Sequence, residues 1–89
     1  MPTISMFYGI IVSMFYKDKK QHHSPHIHIR YQEFEAVYDI ISGELLEGKL
    51  PSNKTKLVEA WMELHREELI ANWELAVIGQ NIYQIDPLK

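Results

Sequence analysis

Four imidazoles fall within seven residues, in the run His22-His23-Ser24-Pro25-His26-Ile27-His28. Imidazole is the side chain whose reference pKa lies nearest neutrality, so a pair of them can take up and return a proton or ligate a metal ion. On a strand, residues at i and i+2 share one face about 6–7 Å apart by strand rise. That separation suits two ligands of one ion, or an acid and a base flanking a phosphate. Zinc asks for a third and often a fourth ligand, which His22 or His23 on the preceding loop would supply by bending back. Lys17, Lys19, Lys20 and Arg30 surround the same histidines, a cationic rim of the kind a phosphate-bearing substrate needs. No Gly-rich turn opens a helix, which excludes a nucleotide-type phosphate cradle. Ser24 lacks a strand–turn–helix elbow and is rejected as a nucleophile. Three readings stand side by side: histidines satisfied as surface groups, a metal site, and an acid–base centre.

These residues need strands to aim them. The segment Lys17 to Pro25 is polar and ends in a proline that cannot donate to a ladder, so it reads as a loop. Alternation follows, with His26, His28 and Arg30 on one side and Ile27, Ile29 and Tyr31 on the other. A second alternating run, Phe34 to Ile41, sets Phe34, Ala36, Tyr38 and Ile40 against Glu35, Val37 and Asp39. A two-residue turn at Gln32-Glu33 pairs Tyr31 with Phe34, Ile29 with Ala36, Arg30 with Glu35, His28 with Val37 and His26 with Asp39. One face of this hairpin is then core. The other collects two histidines, one arginine and two carboxylates, and Asp39 is placed to orient an imidazole through its second nitrogen.

Upstream, Thr3–Phe7 and Ile10–Tyr16 flank Tyr8-Gly9, where glycine can take the positive φ of a tight turn. Ile4 and Met6 are expected on one face of this hairpin, Ser5 and Phe7 on the other. The second strand is apolar on both faces and is expected to be central. Ser42-Gly43 ends the second hairpin, and Leu45–Gly48 adds a short strand or turn. Leu50-Pro51-Ser52-Asn53 reads as a helix entry with Ser52 or Asn53 as the cap. From Lys54, apolar residues recur at helical spacing through Leu57, Val58, Trp61, Met62, Leu64, Leu69, Ile70, Trp73, Ala76 and Val77, with Gly79 as the stop. Roughly 37 Å of continuous helix is long for so short a chain, so a break is expected near His65–Glu67. His65 is expected as a satisfied core or boundary residue, Trp61 and Trp73 as core anchors, and Arg66-Glu67-Glu68 as solvated surface. Ile82, Tyr83 and Ile85 are expected as a final edge strand. The expected fold is α+β: one domain over residues 1–89, with about four antiparallel strands packed on one long C-terminal helix.

Composition bounds the rest. The chain has 89 residues, a formal charge of −3, 46% hydrophobic residues and no cysteine. Disulfide frameworks, thiolate metal sites and cysteine nucleophiles are therefore excluded, and mild acidity argues against broad electrostatic capture of nucleic acid. The apolar stretch Ile4–Tyr16 is too short for a bilayer, and no positive charge or small-residue cleavage site marks it as a signal segment. A cytoplasmic location without membrane association is expected.

The opening Met-Pro-Thr-Ile, the Gly-centred first hairpin, the His22-His23-Ser24-Pro25-His26-Ile27-His28 segment, the Glu35-Ala36-Val37-Tyr38-Asp39-Ile40 strand and the helical run Trp61 to Trp73 together resemble a family of small bacterial proteins of unknown function. The resemblance covers nearly the whole chain. It implies the toxin half of a type II toxin–antitoxin pair, with a cognate antitoxin encoded nearby as partner. RNA and a second copy of the chain are further candidate partners. Where members of that family carry Asn-Gly at the first turn and glycine near position 32, Tyr8 and Gln32 stand here.

Within that frame the side chains suit metal-independent RNA cleavage. His26 and His28 would serve as base and acid, Arg30 would stabilise the phosphorane charge and Asp39 would complete the catalytic set. His22, His23 and Lys20 would bind substrate, and no cofactor is required. The alternatives are a toxin that binds a protein target without catalysis, and a small histidine-rich metal-binding protein.

Overall fold

The computed structural model describes residues 2–15 and 24–89. They form β1 (Thr3–Phe7), β2 (Ile10–Ser13), β3 (His26–Tyr31), β4 (Phe34–Asp39), β5 (Leu45–Gly48) and α1 (Ser52–Val77). All pairings are antiparallel, in the spatial order β1-β2-β3-β4-β5. Each strand neighbours the next in sequence, and two-residue turns join β1 to β2 and β3 to β4. The result is a five-stranded antiparallel sheet packed on one helix, the α+β fold expected, with Leu45–Gly48 as the short added strand.

The central hairpin has the expected register, from Tyr31↔Phe34 through Ile29↔Ala36 to His26↔Asp39. One further backbone bond, from the Ile40 N–H to the Pro25 carbonyl, extends the ladder beyond it. The turn is made with Gln32 at φ 55°, the left-handed region, and the first hairpin turns through Tyr8 at φ 51° and Gly9 at φ 79°. Positive φ at both turn residues of the first hairpin, and at the first turn residue of the second, gives the backbone twist that matches paired strands.

β1 departs from simple alternation. Thr3 faces Ser13 and Ser5 faces Val12, so Ile4 is the extra residue of a bulge. A bulge turns successive side chains toward the same side. Ile4 therefore joins Ser5 and Phe7 in the interior, while Met6, expected beside Ile4, is 63% exposed. β2 is central, as its apolar character requires.

The core joins Ile10, Val12, Met14, Ile27, Ile29, Ala36, Tyr38 and Ile40 of the sheet side to Val58, Trp61, Met62 and Leu69 of α1. The helix begins after Pro51, with no side-chain cap. The carbonyl of Pro51 accepts the first amides, from Lys54 and Thr55, so Ser52 lies inside the first turn rather than capping it. At His65 the backbone leaves helical values (φ −119°, ψ 22°) and the helix kinks. Its C-terminus is closed by Gly79 N–H to the Ala76 carbonyl and Gln80 N–H to the Leu75 carbonyl, with Gly79 at φ 79°. That pair of bonds is a Schellman closure, which needs a left-handed residue at the glycine. Residues 80–89 are not a strand. They form an extended tail whose Ile85 N–H reaches the Ile4 carbonyl at 2.8 Å.

Candidate functional site

β3 and β4 set the candidate residues in two rows across the outer face of the sheet. Met6, Ile11, Arg30 and Glu35 are register partners in one row, and Ser13, His28, Val37 and Glu47 in the next. Alternation alone puts His26 on this face too, but the structure buries it completely. His26 is 0% exposed, its ring centroid 4.9 Å from that of Trp73. Its Nδ1 lies 2.8 Å from the Ser24 carbonyl. A carbonyl only accepts, so Nδ1 carries a proton. The sequence pattern sorts Cβ directions, whereas the cover over the end of β3 comes from the distal half of α1.

His28 is half-buried between Ser13 and Val37. Its ring stacks on Phe15 (centroids 4.2 Å, planes 13° apart) and meets His26 edge-on at 5.3 Å. The two imidazoles are therefore neighbours, as the i, i+2 spacing requires, in unequal surroundings. Arg30 lies further along β3 and is exposed, with its guanidinium donating to Glu35 at 2.9 Å. An exposed cross-strand pair of this kind contributes well under about 1 kcal/mol.

Asp39 serves the turn that follows it. Ser24 Oγ donates to Oδ2 at 2.7 Å and the Ser42 N–H to Oδ1 at 2.8 Å. Burial alone would raise its pKa. Hydrogen bonds from the Ser42 N–H, the Ser24 and Ser42 hydroxyls and the Ile41 N–H outweigh that and hold the carboxyl below its ordinary value. Register makes Asp39 the cross-strand neighbour of His26, and its two oxygens are engaged by Ser24 ahead of β3 and by the turn after β4. Lys20, His22 and His23 lie outside the described residues. Among the described residues no group of three or more His, Asp or Glu side chains could hold a metal ion.

The helix carries contacts that the sequence reading did not assign. Arg66, expected as solvated surface, donates through Nε to the Ile40 carbonyl at 3.1 Å and through its guanidinium to Glu63. It ties the exit of β4 to the kink. His65 packs on Trp61 (5.5 Å between centroids) and its Nδ1 is paired with Glu68. Asn72 is 3% exposed and clamps Tyr83 of the tail: its amide donates to the Tyr83 carbonyl at 2.8 Å and accepts the Tyr83 N–H at 3.0 Å. An asparagine on an apolar stripe is a legible signal, because a buried amide must find partners.

A family model described as a domain of unknown function, DUF4160, matches residues 9–74. The chain belongs to this family. The matched span contains β2 to β5 and most of α1, and so His26, His28, Arg30, Asp39, Trp61 and Asn72. Nothing among curated proteins or solved structures matches the chain significantly. No helix among the described residues is long and apolar enough to cross a membrane.

Proposed function

We propose that this chain is the toxin component of a bacterial type II toxin–antitoxin pair, and that it acts in the cytoplasm by binding a protein target through the outer face of its sheet. The toxin assignment rests on the resemblance carried by the His22–His28, Glu35–Ile40 and Trp61–Trp73 motifs. The mode of action rests on one observation above all, the complete burial of His26 beneath Trp73. An acid–base pair astride a phosphate needs both imidazoles within reach of substrate. Here one ring is interior and the other shares its face with exposed Met6 and Arg30. Methionine and arginine are side chains enriched at protein interfaces.

Induced expression of the wild-type chain, with and without the neighbouring gene, tests the assignment. Growth arrest relieved by the neighbour is expected, and unimpaired growth of cells containing the folded chain would overturn the toxin reading. Met6→Asp and Arg30→Glu, both at exposed positions, are expected to abolish arrest while the protein stays folded. If both arrest growth as strongly as wild type, the outer face is not the binding surface. RNA cleavage by purified wild type that is lost in His28→Ala would instead support the ribonuclease reading, for which the 5.3 Å approach of the two imidazoles is the supporting geometry.

A further inference from the structure

Ala76 is the small residue on a helix stripe whose other members are large. Met62, Leu69 and Trp73 precede it at helical spacing and pack in or against the core, whereas Ala76 leaves the last turn of α1 without a side chain to fill the space beside it. That space is a pocket of about 440 Å³, within the range of small-ligand sites. Pro2, Met14, Phe15 and Ile82 form its apolar walls, and Ala76 and Gln80 bring the C-terminal end of α1 to it. Water against such walls has few polar partners, and an apolar ligand body releases it.

The electrostatics of the helix end select the sign of the ligand. The last carbonyls of a helix carry partial negative charge, which a nearby cation offsets. α1 has no basic residue in its last turn, and Glu74 stands in that turn instead. Among the described residues the pocket lining contains no charged side chain either. An apolar cavity set against an uncompensated helix C-terminus favours a ligand with an apolar body and a positive head.

We infer that this pocket is a binding site for a small organic cation, an amine with an aromatic or branched apolar body, which lies against Phe15 and Ile82 with its ammonium at the end of α1. The site stands apart from the outer sheet face and holds whether or not the chain is a toxin. Phe15 also stacks on His28, with centroids 4.2 Å apart, so occupation of the pocket is felt at that imidazole.

NMR titration of the full-length chain with phenylethylamine, phenylethanol and phenylpropionate tests it. The amine is expected to shift the amides of Phe15, Ala76, Gln80 and Asn81 and the ring protons of His28. It is expected to bind roughly tenfold more tightly than the alcohol, with the carboxylate weakest. Gln80→Lys, at an exposed position, places a resident ammonium at the helix end; it is expected to weaken the amine several-fold and leave the alcohol unchanged. Ala76→Leu fills the space and is expected to weaken amine and alcohol alike. Absence of localised shifts with all three probes would overturn the site, as would a folded Ala76→Leu that binds the amine as tightly as wild type. Should Ala76→Leu fail to fold, the wild-type titration and Gln80→Lys decide. Alcohol or carboxylate binding as tightly as the amine, or equal weakening of amine and alcohol by Gln80→Lys, would overturn the assignment to a cation.

Discussion

Asp39, a residue singled out for chemistry, also holds a turn. Its carboxylate accepts from Ser24 and from Ser42, and these bonds lower its pKa below the ordinary value. A carboxyl with a depressed folded-state pKa contributes stability above its unfolded pKa, and the contribution is lost as pH falls through the folded value. Asp39→Ala is therefore expected to cost about 1–2 kcal/mol at pH 7. The gap should begin to narrow below about pH 4 and close only once pH falls below the depressed folded value, where wild type loses the same bonds. Urea melts at pH 7 and pH 3 check this, and a gap independent of pH would contradict it. Gln32 makes the opposite kind of prediction. At φ 55° it occupies backbone space that costs an L-residue about 1 kcal/mol relative to glycine. Gln32→Gly should raise the melting temperature by a few degrees, despite the greater freedom that glycine has when unfolded. A lower melting temperature would show that the Gln32 side chain contributes more than its backbone costs.

At the scale of elements, the hairpin of β3 and β4 was legible because apolar and polar residues alternate from His26 to Tyr31 and again from Phe34 to Ala36 around a polar Gln32-Glu33 turn, and a one-residue slip would have exposed Ile27, Ile29 and Tyr38 together. The kink was legible from length, and His65 carries it. The bulge at Ile4 was not, because no glycine or proline marks it and both Ile4 and Met6 suit a strand. The tail was misread as a strand for a related reason: Ile82, Tyr83 and Ile85 have strand character, but one sheet-directed backbone bond at Ile85 is too little to make a ladder. β5 rests on a close approach at Gly48, where a Cβ would lie 2.0 Å from the Glu35 carbonyl oxygen and φ is +81°. Gly48→Ala is expected to cost roughly 2 kcal/mol or more. That would lower the melting temperature by about 10 °C and free the β5 edge, measurable as faster amide exchange at Val37 and Glu47 than at β3. Unchanged exchange would mean that β5 can shift without loss.

For the whole molecule, the candidate site divides into an inner and an outer half. The motif Trp61 to Trp73 reads in the sequence as core with a solvated face. In the fold, Trp73 covers His26, Asn72 and Trp61 hold the tail, and Arg66 ties the sheet to the kink. These roles were hidden because each links residues far apart in the chain, and periodicity reports only what a residue's own element does. The surface left for a partner is the row of Met6, Arg30 and Glu35 with His28 beside it. Growth after induction of His28→Gln, with its folding verified by circular dichroism, tests binding against cleavage most directly. Glutamine keeps hydrogen-bonding capacity but cannot exchange a proton near neutral pH, so action by binding predicts arrest as strong as wild type. A folded His28→Gln chain that leaves growth unimpaired, where wild type arrests it, would contradict the account.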